Sequence, residues 1–137
     1  MEKLFDPNMT KKEVNAMSAL ALAHIGDGVF ELLVRTKLCV EGGTTNGRLH
    51  KDTVALVRAT AQAEFVDRLL PFLTEEEQGF YRRGRNAHAH GVPKNVTPVQ
   101  YAKATGLETL FGALYLMGQK ERVQELFMAL WEEDHAL

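Results

Sequence analysis

Leu22-Ala23-His24-Ile25-Gly26-Asp27-Gly28-Val29-Phe30-Glu31 is the stretch on which the reading of this chain turns. Leu22, Ile25, Val29 and Leu32/Leu33 recur at helical spacing, so the segment belongs to a long helix over about Ser18–Val40. Ser18 is its cap, and Gly42-Gly43 stop it. Asp27 sits in mid-helix between two glycines. Aspartate is a poor helix-interior residue, and each glycine costs about 1 kcal/mol relative to alanine. Such a helix is not optimised for its own stability. Glycine also lets another backbone or a ligand come close. The plain reading is that the glycines permit tight packing while Asp27 faces solvent.

Working outward, the pattern stays helical. A second helix is expected over about Asn46–Leu70, ending before Pro71. Thr74-Glu75-Glu76-Glu77 is a capping box that opens a third helix through about Arg85. A polar loop, Asn86–Val96, follows. Thr97-Pro98-Val99-Gln100 is another start signal, for a helix to about Met117 that Gly118 ends, and a last amphipathic helix covers about Gln119–His135. No segment alternates like a strand. The expectation is an all-α fold forming a single domain over residues 1–137, a length that suits one hydrophobic core.

Composition narrows the function. Hydrophobic residues make up 45% and charged residues 25%, as in ordinary globular proteins. The lone Cys39 can form no internal disulfide, so a reducing compartment, the cytoplasm, is expected. The N-terminus lacks the basic start and apolar run of a signal peptide, and no apolar stretch is long enough to span a membrane. The net charge of −2 argues against a nucleic-acid partner until its distribution is considered. From Gln78 to Leu107 there is no Asp or Glu, while the stretch holds Arg82, Arg83, Arg85, Lys94 and Lys103 with His88 and His90. That asymmetry predicts a local anion-binding surface on an acidic body. Arginine forks and the amides of Asn86 and Asn95 suit phosphate oxygens and ribose hydroxyls; a solvated loop after an arginine-rich helix end is the plainer alternative. His88 and His90 lack the accompanying ligands of a zinc site.

Glu108 is the only acid between Gln78 and Lys120. Thr105 and Gly112 lie a turn either side, so it too occupies a small-residue face of an apolar helix. The plain reading is a partly buried glutamate paired with a lysine or arginine. Two carboxylates among small neighbours also suit a hard divalent cation, since magnesium takes one or two carboxylates plus waters and phosphate oxygens.

The two acid-bearing segments together resemble the ribonuclease III catalytic domain, specifically its Mini-ribonuclease III family. Leu22–Glu31 is similar to the first signature helix, and Ala104–Leu116 to the second. Arg83-Gly84-Arg85-Asn86-Ala87 with Pro93-Lys94-Asn95, and Asn46 with Leu49-His50-Lys51, are similar to stretches of the Mini form. The resemblance implies the ribonuclease III helical bundle, with Asp27 catalytic and Glu108 a metal ligand. It implies a homodimer that cuts double-stranded RNA with magnesium (manganese as a substitute), and the maturation of large-subunit ribosomal RNA precursor. Arg82, Arg83, Arg85, Asn86, His88, Lys94 and Asn95 are the expected RNA contacts; Glu31, His50 and Lys51 are secondary candidates. Larger relatives carry acids at the positions of Ala23 and Thr105, so the acid set here reduces to Asp27 and Glu108. The chain ends at Leu137, and the catalytic domain is expected to bind RNA by itself. A relative that had lost catalysis and only held RNA or protein would be expected to lack the aspartate, and Asp27 is present. A purely structural helical protein would not need the acid-free basic stretch.

Overall fold

The computed structural model describes residues 2–42, 59–87, 91–92 and 94–135, and every regular element among them is helical. Helix α1 spans Lys11–Asn15, α2 Ala19–Glu41, α3 Ala59–Leu69, α4 Glu75–Arg85, α5 Pro98–Leu116 and α6 Lys120–His135; a 3-10 turn, Leu70–Phe72, joins α3 to α4. The caps read from sequence are in place. Ser18 Oγ accepts from the Ala21 amide at 3.1 Å. The boxes at Thr74/Glu77 and Thr97/Gln100 are closed in both directions, each satisfying two amides that a helix start leaves unpaired. Gly42 ends α2 with φ +91°, a backbone conformation that other residues rarely adopt.

The second expected helix is described only as Ala59–Leu69, its first part lying outside the described residues. The α-helix ends at Leu69, before Pro71 as expected, and Pro71 enters the following 3-10 turn near its start, where a missing N–H costs nothing. The sequence reading also omitted α1. Its signal was present, since Thr10-Lys11-Lys12-Glu13 is itself a capping box with both hydrogen bonds formed.

Helix α5 is the axis of the molecule. Every residue from Ala104 to Leu114 is buried except Glu108. A helix apolar all round must be surrounded, and here α2, α3, α4 and α6 all pack against it. Phe111 of α5 meets Phe30 of α2 with ring centroids 5.8 Å apart, and Phe30 in turn meets Phe127 of α6 edge-on. These contacts fix the rotation of α5 and leave one position, Glu108, where its surface opens.

The α4 helix is tied to α6 by a charge pair. Arg122 Nε and Nη2 donate to the two Glu77 oxygens at 2.7 and 2.8 Å, and Nη2 also reaches the Phe72 carbonyl at 2.9 Å. Glu77 is 5% exposed. Burial pushes its carboxyl up, but the Arg122 and Thr74 hydrogen bonds outweigh burial and hold it below the usual carboxylate range. A group lowered in the folded state contributes stability above its unfolded value and loses it on acidification. Two outcomes are expected in urea denaturation. Arg122→Ala, which strands a buried charge, costs about 3 kcal/mol at neutral pH. The stability gap between wild type and Glu77→Gln is full above pH 4.5 and narrows below it.

Candidate active site

Where α2 crosses α5 the backbones touch. A methyl group placed on Gly26 would stand 1.6 Å from the Glu108 carbonyl oxygen, and one on Gly112 would stand 1.9 Å from the Leu22 carbonyl oxygen. The contact is reciprocal: each helix offers a glycine to the other, one turn from the residue it receives. Gly28, by contrast, faces open space. The two glycines that flank Asp27 therefore do different jobs. One brings α5 against α2, and the other leaves room beside the acid.

This crossing sets Asp27 against Glu108. Asp27 is exposed on α2, while Glu108 is half-buried on α5. Burial, and then the hydrogen bond and negative charge of Asp27, push the Glu108 carboxyl up to about 9. A protonated Glu108 donating to the Asp27 carboxylate satisfies both groups. Among the described residues no lysine or arginine pairs with Glu108, so it is not the ordinary salt-bridged glutamate of a core edge. Two carboxylates that share a hydrogen bond, without a neighbouring cation, form an oxygen-rich donor set, and such a set fits a hard divalent ion that keeps several of its waters. No cluster of three or more acids, histidines or cysteines suited to a metal occurs among the described residues.

Comparison with known proteins shows the family. The ribonuclease III domain model matches residues 20–119, which include both acids and the whole crossing. The Mini-ribonuclease 3 of Symbiobacterium thermophilum is 47% identical over 80% of this chain and 85% of its own length. That of Clostridium tetani is 38% identical over 97% and 91%. The chain belongs to the Mini-ribonuclease III family. A crystal structure of a Fusobacterium nucleatum protein superposes with a TM-score of 0.79 at 28% identity, covering 89% of this chain and 98% of that one. The ribonuclease III helical fold expected from sequence is therefore the fold found.

Against the Mini-ribonuclease III pattern, the remaining candidates separate by surroundings. Ala23 and Thr105, the positions where the resemblance to full-length ribonuclease III leads one to expect acids, are both buried; the Thr105 hydroxyl donates to the Tyr101 carbonyl at 2.9 Å. Glu31 is held by Arg35, whose Nη2 and Nε donate to a single carboxylate oxygen at 2.6 and 3.2 Å. The sequence held that signal, a Glu followed four residues later by Arg on one helix face. Arg83 donates to the Met17 carbonyl at 2.7 Å and so braces the entry to α2. Arg85 lies over the Tyr81 ring, 5.7 Å from its centroid, and donates to the Asn86 side chain at 3.3 Å. Lys103 is paired with Asp67 at 2.9 Å. Arg82, Lys94 and Asn95 are exposed, Asn95 with φ +67°. His50, Lys51 and His88 lie outside the described residues.

The unequal glycines are testable by thermal and urea denaturation. Gly26→Ala forces a side chain into the Glu108 backbone and is expected to cost about 3 kcal/mol. Gly28→Ala meets nothing and is expected to gain up to about 1 kcal/mol from helix propensity.

Proposed function

We propose that this chain is an endonuclease of double-stranded RNA that uses a divalent metal held by Asp27 and Glu108. The observation that carries the proposal is the pairing of these two carboxylates at the α2–α5 crossing, inside a matched ribonuclease III domain. Ribonuclease III domains generally depend on divalent metal. Magnesium, with manganese as a substitute, would supply an activated water and neutralise charge on the phosphate under attack. Asp27, the more exposed acid, reaches toward the substrate, and Gly28 beside it leaves the space a phosphate backbone needs. Glu108 is anchored by the core helix and fixes the other side of the site.

Duplex RNA is read through shape, phosphates and 2′-hydroxyls, because its major groove is too deep and narrow for side chains. Arg82, Arg85, Asn86, Lys94 and Asn95 supply that chemistry here, with Arg83 adding charge while bracing the fold. His88, His50 and Lys51 belong to the same proposal through resemblance. A two-fold homodimer presents the set twice, so that two modest basic surfaces act on one duplex, and each subunit cuts one strand. Large-subunit ribosomal RNA precursor is the proposed natural substrate, in the cytoplasm.

Cleavage of a generic RNA duplex with and without magnesium tests the core of this reading. Asp27→Asn is expected to keep the wild-type melting behaviour and to cut at least about a hundredfold more slowly, the scale on which disturbed metal sites lose activity. A variant that cuts at the wild-type rate overturns the assignment. Arg85→Ala is expected to weaken duplex binding and to lower the salt slope by about one. Light scattering is expected to give twice the mass of one chain.

A further inference from the structure

The groove between α1 and α4 sets residues of α1, which have no part in the reading so far, beside the basic side chains of α4. Lys11 and Asn15, one turn apart on α1, form one wall; Arg82, Arg83 and the cap residue Asn86 form the other, with Gly79 in the floor. Glu76 also lines it and pairs with Lys11 at 3.3 Å, but both side chains are well exposed, so the pair is weak and solvated. Three cations thus face one carboxylate. Arg82 has no acidic partner among the described residues, and Asn15 is exposed. The Asn86 side-chain oxygen accepts from Arg85, which leaves its amide hydrogens to donate elsewhere.

Gly79 is the second observation. Glycine is among the least favourable residues for a helix interior, so it calls for a reason. On the same helix Gly84 has one, since a methyl there would stand 2.2 Å from the Thr109 hydroxyl. At Gly79 a methyl would meet nothing within 4 Å. Packing does not require this glycine, yet it keeps the floor of a cationic groove bare, as a close approach by a ligand requires.

We infer that this groove takes a backbone phosphate of the RNA duplex, with Lys11, Asn15 and Arg82 as its contacts. The inference rests on the proposed RNA activity and adds α1 to the binding surface. Arg83 links the groove to the start of α2, through Met17. Asp27 lies nine residues beyond the Ser18 cap, or about 13 Å along the helix at about 1.5 Å per residue. The groove therefore grips the duplex away from the scissile bond and sets its position along the site, which is what phosphate contacts do.

The test is binding of a generic RNA duplex without divalent metal, over a range of salt, beside thermal melts. Gly79→Gln fills the floor with a good helix former. It is expected to raise the melting temperature while weakening binding about tenfold, a combination that a structural role for Gly79 would not produce. The double variant Lys11→Gln/Asn15→Ala is expected to melt close to wild type, to bind several-fold more weakly and to lose about 0.9 from the salt slope, the value of one phosphate contact. If both variants bind with wild-type affinity and slope, the groove assignment is wrong while the nuclease reading stands. If wild type itself binds no duplex, the reading beneath it fails as well.

Discussion

Direct backbone contact between α2 and α5 is the constraint on which the rest of this structure depends. Two glycines, Gly26 and Gly112, remove the side chains that would otherwise hold helix axes about 8–10 Å apart. Everything at the site follows from that approach. Asp27 is next to Gly26 in sequence, and Glu108 is the residue whose carbonyl Gly26 touches. The acids meet because their helices meet. The aromatic contacts among Phe30, Phe111 and Phe127 then prevent α5 from rotating and carrying Glu108 away.

The proximity has an electrostatic cost that no lysine or arginine among the described residues relieves. Seven ion pairs among the described residues show that this chain readily places lysine or arginine beside an acid: Lys11–Glu76, Arg35–Glu31, Lys37–Glu41, Lys103–Asp67, Lys120–Asp6, Arg122–Glu77 and Arg122–Glu125. Among the described residues no such cation is paired with Asp27 or Glu108. Local departures from ordinary satisfaction are expected where function resides. Arg35 sharpens the contrast: it lies two turns beyond Asp27 on α2 and is committed to Glu31.

Much of the fold was legible because helix starts are written in a few polar residues. Ser18, Thr74 and Thr97 each announced an element that the structure contains. Thr10 announced one too, but α1 has a single buried residue, Val14, and too little apolar pattern to support the signal. At the site, the two acids were legible as residues in awkward places, and the ordered motifs made them a pair. Their hydrogen bond was not legible, because it depends on how two helices cross. Nor could sequence separate Gly26 from Gly28, since the same missing side chain serves a backbone contact in one case and open space in the other. The arginines are similar. Arg82, Arg83 and Arg85 read as one basic run, yet tertiary structure assigns Arg83 to a carbonyl, Arg85 to a ring and an amide, and leaves Arg82 exposed.

The burial of α5 has a consequence for motion. Parts of a protein open locally at free energies set by how many contacts they must break, and a helix enclosed on every side opens only when the whole molecule does. The backbone that carries Glu108 is therefore among the last to exchange its amide hydrogens with solvent. Exposed α1, held by one buried valine and its cap, belongs to the opposite class. One carboxylate of the site is mounted on the slowest-exchanging part of the chain, while the groove at its far edge is walled by one of the fastest.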